Sequence, residues 1–325
     1  MGLLKPLLSF GEALIDFLQI GCSNVEDDSF AEFRQFPGGA PANVAVAFAR
    51  LGGDARFAGQ VGDDPFGRFL ENSLVHYGVD TRFLAFHPTA KTALAFVSLD
   101  SEGDRSFSFY RDKTADLLFS VDQVTDDWFD GRPVFHLCSN TLTNGDIAAV
   151  SRYALDQARE AGCMISFDVN LRPGLWPGGN VDRSRCDDVV RAADFIKFAK
   201  EEFEFLANGD EQQYVDALLA ERQRLIVVTD GGGAVRFFTR EHRDTVVTPT
   251  VDVVDTTAAG DAFTAGVLRG LCAASDLDSV TSDATRISAL LEFAIRCGSL
   301  TTTRAGAFPA LPEFAEVADV WTEMP

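Results

Sequence analysis

The chain is poor in the groups that would tie it to a metal, a membrane or a nucleic acid. Its four histidines, His76, His87, His136 and His242, stand far apart and show no metal-ligand spacing. Its six cysteines, Cys22, Cys138, Cys163, Cys186, Cys272 and Cys297, form no CxxC pair. Scattered through apolar and helical stretches, they read as the thiols of a reduced, cytoplasmic protein. Positive charge is scarce: 28 Lys and Arg face 49 Asp and Glu, a net charge of −21. A surface this acidic repels polyanions, which excludes nucleic acid and anionic membrane as partners. No apolar run reaches the length of a membrane span. Residues 1–11 are apolar but lack a small-residue cleavage site and run into Glu12 and Asp16, so they read as a first strand and not a secretion signal. The P-loop pattern GxxxxGK followed by Ser or Thr is missing, as are a GxSxG elbow and a GxGxxG after the first strand. There is no internal repeat and no low-complexity linker.

What is present has ordinary globular proportions, 46% hydrophobic and 24% charged over 325 residues, enough for one large core with an appendage. Short apolar runs at 6–10, 55–60, 134–137, 164–168, 194–198 and 225–229 predict strands. Helical apolar spacing covers 41–51, 66–77, 147–161, 261–273 and 285–297, and Gly162 stops the third of these. Strands alternating with helices predict an α/β fold: a mostly parallel sheet flanked by helices on both faces. Two extended segments, 16–36 and 92–112, break the alternation. In the second, Arg105, Phe107, Phe109 and Arg111 fall on one face and Ser106, Ser108 and Tyr110 on the other. Paired, the two segments form a small β lid over the carboxyl ends of the main strands, where open α/β sheets bind ligands. The core is then discontinuous, 1–15, 37–91 and 113–325. Residues 310–325 read as a surface helix or tail.

Residues 253–266, VVDTTAAGDAFTAG, carry the strongest chemical signal. An apolar strand is expected to end at Asp255, followed by small residues and an amphipathic helix. Free N–H groups at a helix start attract anions, and Ala258, Ala259 and Gly260 let a phosphate approach the backbone. Asp261, in the first helical turn, can accept the proton of an attacking hydroxyl. An acidic residue is also common in any first turn, and small residues also serve helix–sheet packing.

DTTAAGD is similar to DTxGAGD, the pattern of the ribokinase/PfkB carbohydrate kinases, with Ala258 where many members have glycine. A second family pattern occurs at 36–53, FPGGAPANVAVAFARLGG, and matches extend from GEALID to GAFPALP across nearly the whole chain. The resemblance implies a ribokinase-like fold. It implies Asp261 as base, Ala258, Ala259, Gly260 and Asp261 as an anion hole, and Asp16, Gly38, Gly39 and Asn43 as sugar ligands. Arg172, in FDVNLRPGLWP, would meet a phosphate or an anionic substrate group. Residues 196–206 are similar to the NxxE segment, so Glu202 would order water around Mg²⁺, with Lys200 beside the ATP phosphates. VVTDGGGA, one residue short of VTxGxxGA, would place Thr229, Gly231 and Gly233 at the nucleotide; it reads equally as a hairpin turn. Ala294, Cys297, Gly298 and Ser299 would pack the adenine, or simply a helix. Asp255 matches the residue near a monovalent cation, so K⁺ is a further expectation beside ATP and Mg²⁺.

Within the family the chain is most similar to the fructokinases, on GEALIDF, PGGAPANVAVAFARLGG, DRSFSFYRDKTADLLF and FDVNLRPGLWP. The expected reaction is in-line transfer from ATP to the primary hydroxyl of fructose, O6 or else O1. Ala259 and Gly260 N–H groups would hold the phosphoryl oxygens, and Arg105, Phe107 and Arg111 would reach in from the lid. The alternatives are a ketodeoxygluconate kinase, with an arginine for the acid group, a nucleoside kinase, and a sugar-binding regulator that has lost catalysis. A homodimer pairing through the lid is expected.

Overall fold

The computed structural model describes residues 4–25, 28–99, 105–274 and 276–321. The strands are β1 (Leu7–Phe10), β2 (Leu14–Val25), β3 (Asp28–Gly38), β4 (Ala55–Gly62), β5 (Asp80–His87), β6 (Leu94–Leu99), β7 (Arg105–Tyr110), β8 (Val134–Cys138), β9 (Met164–Asp168), β10 (Phe195–Ala199), β11 (Leu225–Thr229), β12 (Val235–Phe238) and β13 (Arg243–Val246). The helices are α1 (Ala40–Arg50), α2 (Pro65–His76), α3 (Gly145–Glu160), α4 (Arg183–Ala192), α5 (Lys200–Ala207), α6 (Glu211–Ala220), α7 (Ala259–Ala273), α8 (Leu277–Thr281), α9 (Ala284–Thr302) and α10 (Phe314–Val317).

Nine strands form the main sheet in the order β13-β12-β11-β10-β9-β8-β1-β4-β5. All neighbours from β11 to β5 pair parallel, and β12 and β13 add antiparallel at one edge. Side-chain alternation explains the two flanking layers. Leu7, Phe195, Leu225 and Val227 point into one core with α1, α2, α7 and α9. Their neighbours Leu8, Ile196, Ile226 and Val228 point into the other with α3, α4, α5 and α6. Six of the ten described helix starts, those of α2, α3, α4, α6, α8 and α9, are capped by Asp or Asn side chains. Asp64, for example, accepts from Phe66 and Gly67 N–H ahead of α2, whose first residue is Pro65.

The second sheet has the order β3-β2-β6-β7. Phe96 stacks on Phe17 at 4.9 Å between ring centres and meets Phe33 and Tyr110 edge-on, a cluster that stiffens one face. Phe109 lies on the opposite face against Leu14, Ala93 and Ala95. The side chains of Arg105 and Phe107 lie outside the described residues. The chain passes between the two sheets at residues 11–13 and 37–39, so the base of the small sheet adjoins the carboxyl end of β1 and the start of α1.

One expectation about the elements needs correction. Val253 and Val254 do not belong to a strand: they are about 60% exposed in an irregular segment, tied down where Val254 and Asp255 N–H both donate to Thr302 O. Of the surface helix or tail expected at 310–325, the described residues to 321 hold a short helix, α10, fastened to the core by the fully buried Leu311 and Val317. Trp321 packs on Phe293 and lies over the Arg269 guanidinium at 4.7 Å, a cation–π contact.

Candidate active site

Helix α7 begins abruptly. Ala258 caps it at φ 59°, ψ 9°, the left-handed region that costs a residue with a Cβ about 1 kcal/mol. That turn sets the Ala262 N–H on Ala258 O, so the amides of Gly260 and Asp261 precede the first intrahelical bond and face outward. The Ala259 N–H instead donates to Thr256 O at 3.3 Å. The amides left free at this end of the helix are therefore those of Gly260 and Asp261, and not that of Ala259. Asp255 anchors the preceding loop, its two oxygens accepting from Thr257 N–H (2.8 Å) and Gly306 N–H (2.9 Å).

Asp261 is buried, and its Oδ2 accepts from Asn43 Nδ2 at 2.7 Å. Burial, then the charge of Asp168, push its carboxyl up to about 7, against the pull of Asn43, Lys197 and Arg172. Asp16 is pushed up to about 7 as well, by burial and then by Asp261, Asp255 and Glu12. Gly38 is required beside it, since a Cβ there would fall 2.0 Å from Asp16 Oδ2. Gly39, at φ 103°, presses on Glu12 O, 2.5 Å from where a Cβ would be. Asp16, Gly38, Gly39, Asn43 and Asp261 thus come together at the junction of the two sheets.

Beneath them, Glu12 Oε1 accepts from Ala40 N–H and Asn140 Nδ2. Among the described residues Glu12 Oε2, Asn43 Oδ1, Asn140 Oδ1 and Arg111 Nη1 are buried without a protein partner. Four such atoms around one junction suit a hydroxyl-rich ligand, which both donates and accepts. Arg111 does not extend from the lid as expected. It is buried, its Nε 2.5 Å from Asp116 Oδ2 and its Nη2 donating to Asn140 O, because an unpaired guanidinium could not be buried.

On the other side of Asp261, Lys197 in the middle of β10 reaches Asp168 at 3.1 Å. Glu202 is no solvated helix residue: it accepts from Leu171 N–H and Ala199 N–H, both at 2.7 Å, and so ties two strand-end loops together. Arg172 is exposed, bonded to Leu171 O, with its charge felt at Asp261. Lys200 pairs with Asp230 at 3.2 Å, in the turn that carries Gly231 (φ 50°) and Gly233 between β11 and β12. Thr229 Oγ1 donates to Phe198 O. Ala294 and Cys297 do not line a pocket. Both are fully buried at the crossing of α9 over Gly266 of α7, and Gly298 packs on Ala259 O, so their small size serves helix approach.

A family model for pfkB family carbohydrate kinases matches residues 5–313. The chain belongs to the pfkB family of carbohydrate kinases. Fructokinase-1 of Zea mays is 40% identical over 316 residues, 96% of each chain. A crystal structure of fructokinase with bound ATP from Xylella fastidiosa has a TM-score of 0.90 and 43% identity, covering 98% of both chains. Fructokinase from Vibrio cholerae O395 in its fructose-, ADP- and calcium-bound form has a TM-score of 0.84 and 32% identity, covering 98% of this chain and 99% of that one. The ribokinase-like fold and the phosphotransferase class follow.

Three groups of this carbohydrate kinase were not singled out from its sequence: Lys197, Glu12 and Asn140. Lys197 did leave a signal, a lone cation in the otherwise apolar strand FIKFA, which can be buried only with a partner. No helix among the described residues is long and apolar enough to cross a membrane.

Proposed function

We propose that the chain is an ATP-dependent fructokinase that moves the γ-phosphoryl group of ATP to O6 of D-fructose, with Asp261 as the base. The observation that carries this reading is the pairing of Asp261 with Asn43 at the open end of α7, facing Asp16. Asp16 and Asn43 hold sugar hydroxyls, with Gly38 and Gly39 bare so that the ring can approach. The sugar hydroxyl gives its proton to Asp261 as its oxygen attacks phosphorus in line. The amides of Gly260 and Asp261 receive the phosphoryl oxygens. The small sheet closes over the sugar and limits water, sparing ATP from hydrolysis.

The residues fit magnesium held indirectly. The described residues contain no cluster of three or more His, Cys, Asp or Glu able to hold a metal ion, and both Glu202 oxygens already accept backbone N–H groups. Their remaining lone pairs can order the water shell of an ion bound to phosphates, where it supplies charge neutralisation. Asp255, occupied by two N–H groups, fits the part of loop anchor. A potassium ion there would draw on nearby carbonyl oxygens, and potassium titration of turnover reads its effect.

Ile20, Phe30 and Tyr110 are exposed on the small sheet. We assign that sheet to contact with a second copy of the chain, tested by sedimentation velocity. Five of the six free cysteines are buried, in keeping with a cytoplasmic enzyme. ADP release with fructose, ribose, ketodeoxygluconate and adenosine offered in parallel tests the substrate. Turnover on ketodeoxygluconate alone would transfer the role of Arg172 to its carboxylate and discard fructose.

A further inference from the structure

Lys197 sits in β10 between Ile196 and Phe198, both fully buried, and its own side chain is 7% exposed. An ammonium so placed costs several kcal/mol unless it is paired. Asp168 Oδ1 supplies one partner at 3.1 Å. Asp168 is itself aimed by α7, since Thr264 Oγ1 donates to its other oxygen at 3.1 Å. Burial would pull the Lys197 ammonium toward neutrality, but Asp168 and Glu202 overcome this, and it stays charged.

The ammonium has three N–H groups, and Asp168 takes one. On another side it touches the bare face of Gly260: a Cβ there would lie 3.2 Å from Nζ. Bond lengths then put Nζ within about 6 Å of the Gly260 amide, which opens onto the head of α7. A fixed cation and an outward amide therefore flank the same glycine, next to Asp261, whose charge Lys197 also feels. As a purely structural element the pair is a poor choice, because a buried ion pair stabilises no better than apolar residues of the same size.

We propose that Lys197 is a further catalytic residue, whose ammonium, aimed by Asp168, meets a γ-phosphoryl oxygen at the head of α7. This rests on the kinase reading above. In the transfer the bond from phosphorus to the β–γ bridging oxygen breaks, and its electron pair leaves with ADP. The bond to the sugar oxygen forms, and the hydroxyl proton passes to Asp261. Lys197 keeps its proton throughout and offsets charge on the phosphoryl oxygens. The bare face of Gly260 lets the ammonium sit this close: a methyl group there would crowd Nζ at 3.2 Å.

The test uses Lys197→Met, Asp168→Asn and the charge-balanced double variant Lys197→Met/Asp168→Asn, which leaves no unpaired buried charge. The binding probes are ADP alone and ADP with aluminium fluoride, a mimic of the phosphoryl group in transfer, each with magnesium and fructose. Lys197→Met and the double variant are expected to bind ADP within threefold of wild type and to lose the tightening that fluoride gives. Their kcat falls by about 10²–10³-fold, the range for loss of one transition-state donor. Asp168→Asn keeps the tightening. If the double variant regains kcat within threefold of wild type, or Lys197→Met keeps the fluoride effect, Lys197 is only the counter-ion of Asp168 and the proposal fails. A wild-type protein that forms no ADP with any sugar would instead bring down the kinase reading itself, and this role with it.

Discussion

Asn43 and Asp261 are 218 residues apart in sequence, and the Asn43 amide donates to Asp261 Oδ2 at 2.7 Å. The contact joins the first turns of α1 and α7, and it favours the ionised, proton-accepting form of the carboxylate. Removing it raises the pKa of the base. Asn43→Ala is therefore expected to move the acid limb of the kcat–pH profile upward by about one unit, the worth of one charge-assisted hydrogen bond. An unmoved limb with only KM raised would reduce Asn43 to a sugar ligand.

Burial that tunes Asp261 also costs stability. Its carboxyl is raised from 3.8 to about 7, so between those values the folded chain holds a proton that the unfolded chain has released. By linkage, stability falls as pH rises through that window, by up to about 4 kcal/mol for this group. Asp261→Asn should thus unfold at a higher temperature than wild type at pH 8, with the gap closing toward pH 4. Equal midpoints at pH 8 would mean that the buried charge is compensated in some other way.

Ala258 bears the left-handed turn before α7 with a Cβ in the way. Ala258→Gly should stabilise the fold by up to about 1 kcal/mol, the gain in the turn being partly offset by the freer unfolded chain. Ala258→Val, β-branched, should destabilise it and depress turnover. Thermal melts of both variants check the sign.

Arg111 and Asp116 form a nearly dry ion pair beneath the junction of Glu12 and Asn140, with side-chain exposures of 5% and 3%. Arg111→Met leaves a buried carboxylate unpaired and should cost about 3–5 kcal/mol in a urea titration. Arg111→Met/Asp116→Leu should recover most of that stability. Failure to recover would give Arg111 a larger part in holding Asn140.

The fold was legible because its strands and helices differ in period. Runs such as LIVVT and amphipathic stretches such as IAAVSRYALDQARE leave few alternatives once they alternate along the chain. The neighbourhood of Asp261 was legible because glycines and small residues are dictated by close approach, as Gly38 is by Asp16. Ala294 and Cys297 were left between two readings because a helix crossing and an aromatic ring ask for the same small side chains, and the crossing over Gly266 accounts for them. Arg111 was misread because strand alternation says which face a residue takes but not how deep it lies. Val253 and Val254 show the converse: two β-branched residues look like a strand wherever they stand, and here the backbone bonds to Thr302 decide otherwise. Lys197 and Glu12 were passed over because a buried charge is visible only through its partners, and Asp168, at the end of β9, and Asn140, in the turn after β8, are remote in sequence.

The most direct measurement is ADP release by the purified protein with Mg-ATP and fructose, for wild type and Asp261→Asn side by side. The account predicts fructose-dependent turnover in the wild type and a loss of about 10²–10⁴-fold in the variant, with circular dichroism unchanged. Turnover of the variant within threefold of wild type would remove Asp261 as the base, and fructose bound without ADP release by the wild type would contradict the fructokinase reading itself.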